Sequence, residues 1–188
     1  MHAGPSIRAS SYMILRAPRH YEFADSAKAR KAAAKLAANS QLWELARRAM
    51  LAVDAAYADL YTAVAFTKNF VGSPHIDKEN TGPFYGLSLG DFPGGQGGVR
   101  VECSARIVCE VDTRMQLGKI DGRYPHWVAP YDIGRERYSV IYYQTNGGFA
   151  APGPAIFSHP NNTFTHRDRA FTHRDLKGPE PQAQPEPE

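Results

Sequence analysis

Two histidines and one aspartate have the residue types and the spacing of an open metal site. His75 and Asp77 are separated by one residue, and His126 follows further along the chain. In a strand, residues two apart project to the same side, so His75 and Asp77 can share one metal ion while Ile76 faces away. Two imidazoles and one carboxylate are the set that holds non-haem Fe(II) and leaves coordination positions open for other ligands.

A downstream arginine extends this prediction. Arg137 begins an apolar run, and Ser139 follows two residues later. We predict a hairpin turn at residues 132–134 that folds this run back beside the His126 strand and brings Arg137 into the same cavity. An arginine in that position is what a dicarboxylate co-substrate would need. Arg135 is the competing candidate, but it lies in the predicted turn, where we expect it to be solvated.

Composition favours one small domain and excludes several classes of protein. At 188 residues and 43% hydrophobic content, the chain can bury one core. No run approaches the length of a membrane span, and the first residues lack the apolar core of a secretion signal. We therefore expect an intracellular protein, nuclear or cytoplasmic and not secreted, with no membrane partner. Cys103 and Cys109 form no CxxC pattern and are expected to be reduced thiols in or near strands.

Hydrophobic periodicity divides the chain into four segments. The period is helical before about residue 61 and extended after it, and the end of the chain, rich in Pro, Gln and Glu, lacks apolar residues to pack. The predicted organisation is an irregular segment at 1–24, a helical buttress at 25–61, a β-rich catalytic core at 62–145, and an irregular to disordered tail at 146–188.

Two helices are predicted in the helical segment. Asp25 or Ser26 is the candidate N-cap of the first helix, and Asn39 and Ser40 end it and start the second. Apolar residues at steps of three or four form a stripe that faces a core: Trp43, Ala46, Met50, Val53, Tyr57 and Leu60.

Short strands are predicted throughout the β-rich core, each bounded by Gly, Pro, Asp or Asn. Many short strands with turns between them indicate a sandwich or barrel, and a cupin-like jelly roll is the version with a metal site in its mouth. The fold class is therefore α+β, mainly β, with N-terminal helices packed on the strands. The glycine cluster at 94–98 precedes a strand rather than a helix, so we predict a hairpin connection there and not a phosphate site. The strands are expected at 62–71, 84–90, 98–103, 106–112, 117–120, 125–130 and 137–144.

Together these motifs resemble those of the Fe(II)- and 2-oxoglutarate-dependent dioxygenases, a superfamily built on a double-stranded β-helix. The resemblance covers roughly residues 66–145. Within the superfamily it leans toward the TET/JBP group, which oxidises the methyl group of 5-methylcytosine or thymine, because Asn80 extends the metal motif to HxDxxN. The residues that carry the resemblance are His75, Asp77, His126 and the pair Arg137 and Ser139.

The resemblance implies a role for each of these residues. His75, Asp77 and His126 would be the catalytic iron ligands. Arg137 and Ser139 would hold the distal carboxylate of 2-oxoglutarate. The implied cofactors are Fe(II), 2-oxoglutarate and O2, with ascorbate as an optional addition, and the implied reaction is hydroxylation of a C–H bond.

The resemblance also makes a modified nucleobase the expected substrate, with Asn80 contacting the target base. Tyr124, Trp127 and Tyr131 flank the third ligand and could stack on a planar base, although filling the barrel is a competing role. Up to Met50, nine Lys or Arg face three Asp or Glu, which could track a phosphate backbone or form an ordinary charged surface. DNA or RNA is therefore a candidate partner, and the oligomeric state is left open.

Three other functions fit the same residues. The same oxygenase chemistry could act on a peptide side chain or a small metabolite. A non-catalytic cupin-like binding protein would use the cavity only to hold a ligand. A metal-dependent hydrolase or isomerase would use a bound water, and Arg137 would then have no special role.

Overall fold

The computed structural model describes residues 7–18, 26–157 and 168–176. Within these ranges the chain is mainly β, and its antiparallel sheets are compatible with a β-sandwich. The mainly β fold class is therefore confirmed. The remaining parts of the predicted terminal segments, residues 1–6, 19–25, 158–167 and 177–188, lie outside the described residues.

Alternation of apolar and polar residues produces short strands, and glycine, proline or aspartate ends most of them. The strands are β1 (Ile7–Arg8), β2 (Ser11–Arg16), β3 (Ala63–Lys68), β4 (Val71–Gly72), β5 (Phe84–Gly90), β6 (Val99–Glu102), β7 (Ile107–Val111), β8 (Gly118–Ile120), β9 (His126–Val128), β10 (Arg137–Tyr143), β11 (Ile156–Phe157) and β12 (Arg169–Thr172). Each run predicted between 62 and 144 contains a strand, so these predictions are confirmed.

The strands form two large sheets that pack face to face. One has six strands in the order β11-β8-β5-β10-β3-β2, and the other has four in the order β12-β7-β6-β9. A two-stranded sheet pairs β1 with β4. Apolar side chains from both large sheets meet in one core, formed by Phe84, Val99, Val101, Val111, Ile120 and Ala155.

Helices cover the other face of the six-stranded sheet. They are α1 (Ala27–Ala38), α2 (Ser40–Leu51) and α3 (Ala55–Ala58), whereas the short α4 (His173–Leu176) follows β12 of the four-stranded sheet. As predicted, Ser26 caps α1, accepting a hydrogen bond from the N–H of Ala29, and Asn39 separates α1 from α2. Among the described residues, none of the helices combines the length and apolar character that crossing a membrane requires.

The predicted apolar stripe forms the centre of this helical layer. Trp43, Ala46 and Met50 of α2 are buried against the six-stranded sheet, together with Tyr142 of β10. The Tyr142 hydroxyl donates to the Ala46 carbonyl at 2.9 Å, which ties α2 to that strand. Leu60 was wrongly included in the stripe: it is 51% exposed, because α2 ends at residue 51 and the helical period does not continue.

The ends of the described chain contain more regular structure than predicted. The segment at 1–24, expected to be irregular, contributes β2, an edge strand of the six-stranded sheet that pairs with β3. The tail at 146–188 contributes β11, which pairs with β8, and β12, which pairs with β7. These strands are stabilised by partners distant in the chain, which local patterning does not reveal.

Both predicted hairpins are wrong. β9 and β10, on either side of residues 132–134, belong to different sheets: β9 pairs with β6, whereas β10 lies between β3 and β5. The glycine cluster at 94–98 likewise connects β5 and β6, which are also in different sheets. Each turn therefore carries the chain across the sandwich, and Arg137 faces the His126 strand from the opposite sheet.

We predict that Met50→Ala lowers the free energy of unfolding by about 2–5 kcal/mol, because it leaves a cavity at a fully buried position. Leu45→Ala is the matched control: it lies on the same helix but is 55% exposed, so we expect a loss of less than about 1 kcal/mol. Urea denaturation followed by circular dichroism measures both values. Equal effects of the two substitutions would contradict the assigned face of α2.

Candidate metal centre

Backbone pairing brings the two histidines together. The N–H of His75 donates to the His126 carbonyl at 3.1 Å, and the N–H of His126 donates to the His75 carbonyl at 2.9 Å. The N–H of Asp77 donates to the Gly122 carbonyl at 2.8 Å. Because β9 also pairs with β6, the 75–77 segment is held beside the four-stranded sheet.

The predicted ligand atoms converge. One donor atom from each of His75, Asp77 and His126 lies within 4.8 Å of the others. The His75 Nε2 atom is 3.9 Å from Asp77 Oδ1, and the His126 Nε2 atom is 3.7 Å from Asp77 Oδ2. A cluster of two imidazoles and a carboxylate that could bind a metal ion is therefore present, as the sequence predicted.

Both imidazoles are oriented for metal binding by their second nitrogen. The Nδ1 atom of His75 is 2.8 Å from the Ser73 carbonyl, and that of His126 is 3.0 Å from the Tyr124 carbonyl. A carbonyl only accepts, so Nδ1 carries a proton in each ring, and in the neutral imidazole Nε2 is then the nitrogen whose lone pair can bind a metal. Burial lowers the pKa of His126, and the nearby Asp77 carboxylate opposes that shift only in part. The neutral imidazole is the form that binds a metal.

A cavity of about 490 Å³ between the two sheets connects this cluster to Arg137 and Ser139. On β10, alternate residues face the cavity, whereas Tyr142 faces the helices. The volume falls within the range of small-molecule sites. Besides the residues named, its walls include the apolar or aromatic side chains of Tyr12, Phe70, Phe84, Trp127, Ile141 and Tyr143.

Arg137 is 1% exposed, and its guanidinium is bonded to neutral groups. Its Nε and one terminal nitrogen donate to the Gly97 carbonyl at 3.0 and 2.7 Å. The terminal nitrogens also donate to Ser139 Oγ at 2.6 Å and to Ser88 Oγ at 2.7 Å. Ser139 accepts in this contact, so its own hydroxyl hydrogen is left to donate to another group.

The charge of Arg137 has no carboxylate partner among the described residues. The rings of Phe92 and Tyr131 lie 5.7 and 5.5 Å from the guanidinium carbon, within the range of a cation–π contact. Burial lowers the pKa of Arg137 to about 10, which still leaves the side chain cationic at neutral pH. The cavity therefore contains a desolvated positive charge that a bound anion would pair.

The other predicted residues occupy distinct positions. Arg135 is exposed beside Asp91 and Asp132, as expected for a turn residue. Trp127 lines the cavity. The Tyr124 hydroxyl donates to a backbone carbonyl. Asn80 is buried next to the metal cluster, and its amide nitrogen donates to Asp77 Oδ2 at 2.8 Å.

Sequence reasoning missed the residues that hold Arg137. Ser88 is opposite Ser139 in the β5–β10 register, and its hydroxyl lies 2.6 Å from that of Thr113. Gly97 has a φ of 66°, and a Cβ there would approach Arg137 Nε to 3.0 Å. Ser88 was a signal in the sequence, because a polar residue within the apolar strand β5 needs a hydrogen-bond partner if it is buried.

No protein-family model matches the chain, and no curated protein matches its sequence.

We predict that His75→Ala and Asp77→Ala each weaken Co(II) binding by more than about 100-fold. Loss of a metal ligand should weaken binding more than loss of a residue that only hydrogen-bonds to a ligand, which typically costs about 10- to 100-fold. Asp132→Ala, at an exposed carboxylate outside the cluster, should bind as tightly as the unmodified protein. Isothermal titration with Co(II) measures all three affinities. Unchanged binding in both ligand variants would show that the metal is held elsewhere.

Proposed function

We propose that this protein is an Fe(II)- and 2-oxoglutarate-dependent dioxygenase. The observation that carries the proposal is Arg137, a buried guanidinium without a carboxylate partner among the described residues, in the same cavity as the His-Asp-His cluster. A metal cluster alone fits many reactions. A dicarboxylate co-substrate needs both a metal for one end and a cation for the other.

The donor set fits Fe(II). Two imidazole nitrogens and one carboxylate oxygen form the 2-His-1-carboxylate set of non-haem Fe(II) oxygenases, which keeps positions open for co-substrate and oxygen. When bound with 2-oxoglutarate and O2, the iron supplies the oxidising power that hydroxylates a C–H bond and releases succinate and CO2. The protein contributes binding, orientation and exclusion of water.

The arrangement of the strands supports a double-stranded β-helix as the finer description of the fold. The connections from β5 to β6 and from β9 to β10 both cross between the two sheets, as a jelly roll requires. The cavity lies between the sheets, where such folds hold a ligand.

Arg137 and Ser139 have the chemistry to bind the distal carboxylate of 2-oxoglutarate. The guanidinium is fixed by Gly97 and Ser88, so little side-chain entropy remains to be lost on binding. The hydroxyl hydrogen of Ser139 adds a donor beside it. The low dielectric of the buried site strengthens this charge-assisted pairing.

An anaerobic titration tests the proposal. Fe(II) is added first and 2-oxoglutarate second, and we expect the weak visible charge-transfer band of the iron chelate to appear. Metal binding without the band would favour a hydrolase or isomerase. Failure to bind metal would favour a non-catalytic binding protein.

In the same titration, we predict that Arg137→Ala raises the dissociation constant for 2-oxoglutarate about 30- to 700-fold, equivalent to about 2–4 kcal/mol of paired charge. Arg135→Ala is the matched control, since Arg135 is exposed just outside the cavity. An unchanged constant in Arg137→Ala would refute the assignment of Arg137 to the co-substrate.

For the substrate, we propose a methylated nucleobase in single-stranded nucleic acid. Aromatic cavity walls, including Phe84 and Trp127, suit a planar group. A second cavity of about 560 Å³ shares Glu79 and Thr145 with the first and is lined by Lys28 and the exposed ring of Phe149. Helix α1 borders it and exposes cations with no acidic residue among them: Lys28, Arg30, Lys31 and Lys35.

We predict that succinate release is stimulated by methylated oligonucleotides more than by peptides or small metabolites. Combining Lys31→Glu with Lys35→Glu should raise the KM for the oligonucleotide and lower its salt dependence by about one unit of slope per lost phosphate contact. Arg106→Glu, at an exposed cation beside the four-stranded sheet, is the control. Stimulation by a peptide or a metabolite instead would refute the nucleobase substrate but would still be consistent with an oxygenase.

A further inference from the structure

Among the described residues, Asn80 is the cavity residue whose side chain donates a hydrogen bond to the carboxylate of the metal cluster. It is 5% exposed, and its Nδ2 atom donates to Asp77 Oδ2 at 2.8 Å. The two residues are three apart in the chain, so the 77–80 turn closes on this hydrogen bond. The amide hydrogen that makes this bond is not available to a substrate.

This contact distinguishes the two carboxylate oxygens of Asp77. Oδ2 accepts the hydrogen bond from Asn80, whereas Oδ1 accepts no hydrogen bond from the described residues. Oδ1 lies 3.9 Å from His75 Nε2 and Oδ2 lies 3.7 Å from His126 Nε2, so both oxygens face the ligand nitrogens. A carboxylate that can rotate freely alternates between one-oxygen and two-oxygen metal contacts, and a donor on one oxygen restricts that rotation.

Gly122 encloses the same pair from the other side. The Gly122 carbonyl accepts a hydrogen bond from the N–H of Asp77 at an N–O distance of 2.8 Å, which fixes the backbone at Asp77. A Cβ at this position would lie 2.8 Å from Asp77 Oδ2 and 3.1 Å from Asn80 Nδ2. The space that a side chain would fill is therefore taken up by the bonded carboxylate and amide.

We propose that Asn80 is a positioning residue that holds the Asp77 carboxylate for the metal, rather than a residue that contacts the substrate. The hydrogen bond on Oδ2 restricts the rotation of the carboxylate, so that its oxygens stay within reach of an ion that His75 and His126 share. This inference rests on the metal site of the proposed function. It assigns to Asn80 an effect on metal affinity that exists before any co-substrate or substrate binds.

The test measures Co(II) binding by isothermal titration in the absence of 2-oxoglutarate and substrate. We expect Asn80→Ala to weaken Co(II) binding about 10- to 100-fold, the range found for partners that orient a ligand. The matched control is Thr81→Val, because Thr81 is also buried but bonds to backbone carbonyls at 144 and 146 and not to Asp77. Thr81→Val should leave the affinity unchanged.

Gly122→Ala provides a second test that keeps Asn80 in the sequence, because its Cβ would crowd both the Asp77 carboxylate and the Asn80 amide and disturb the hydrogen bond between them. We expect weaker Co(II) binding here too, and circular dichroism establishes that each variant is folded. Metal affinity equal to that of the unmodified protein in folded Asn80→Ala would overturn the inference, most directly if the substrate KM rose instead. If the unmodified protein binds no Co(II), the proposed function itself fails, which is a distinct result.

Discussion

Two backbone hydrogen bonds between His75 and His126 determine whether this protein has a metal site at all. They join a short extended segment to β9, and β9 is itself held by β6 in the four-stranded sheet. The side chains then meet because directly paired residues of antiparallel strands are close neighbours on one face. The imidazole positions are thus set by the sheet, and the hydrogen bonds from Nδ1 to nearby carbonyls set the orientation of the rings.

The opposite sheet supplies what the metal cluster lacks. β10 lies in the middle of the six-stranded sheet, and its alternating residues serve two purposes. Arg137 and Ser139 face the cavity, whereas Tyr142 on the other face bonds to α2. The helical layer therefore supports β10, the strand that carries the Arg137 cation. The fold places this cation and the His-Asp-His cluster on opposite sides of one cavity.

Much of this arrangement was predictable because it depends on local patterning. Period-two alternation revealed the strands between 62 and 144, and the residue types of His75, Asp77 and His126 revealed the metal cluster. The turn at 132–134 was read correctly as a turn but wrongly as a hairpin, since turn residues do not determine which strands pair afterwards.

Features that depend on partners distant in the chain could not be predicted from local sequence patterns. β2, β11 and β12 are short strands whose partners are remote along the chain. The support of Arg137 by Gly97 and Ser88 appears only once three separate segments are packed together. The hydrogen bond from Asn80 to Asp77 is local, but the choice of this partner for the amide cannot be read from residue types alone.

No carboxylate among the described residues pairs the Arg137 cation, and this has a thermodynamic consequence. Burying a charge without an opposite charge beside it carries a desolvation penalty, so the buried guanidinium lowers the free energy of unfolding of the protein without a bound anion. An anion that binds only the native state returns that energy by mass action. Under the proposed function, the stability of the folded chain would then follow the concentration of small diacids.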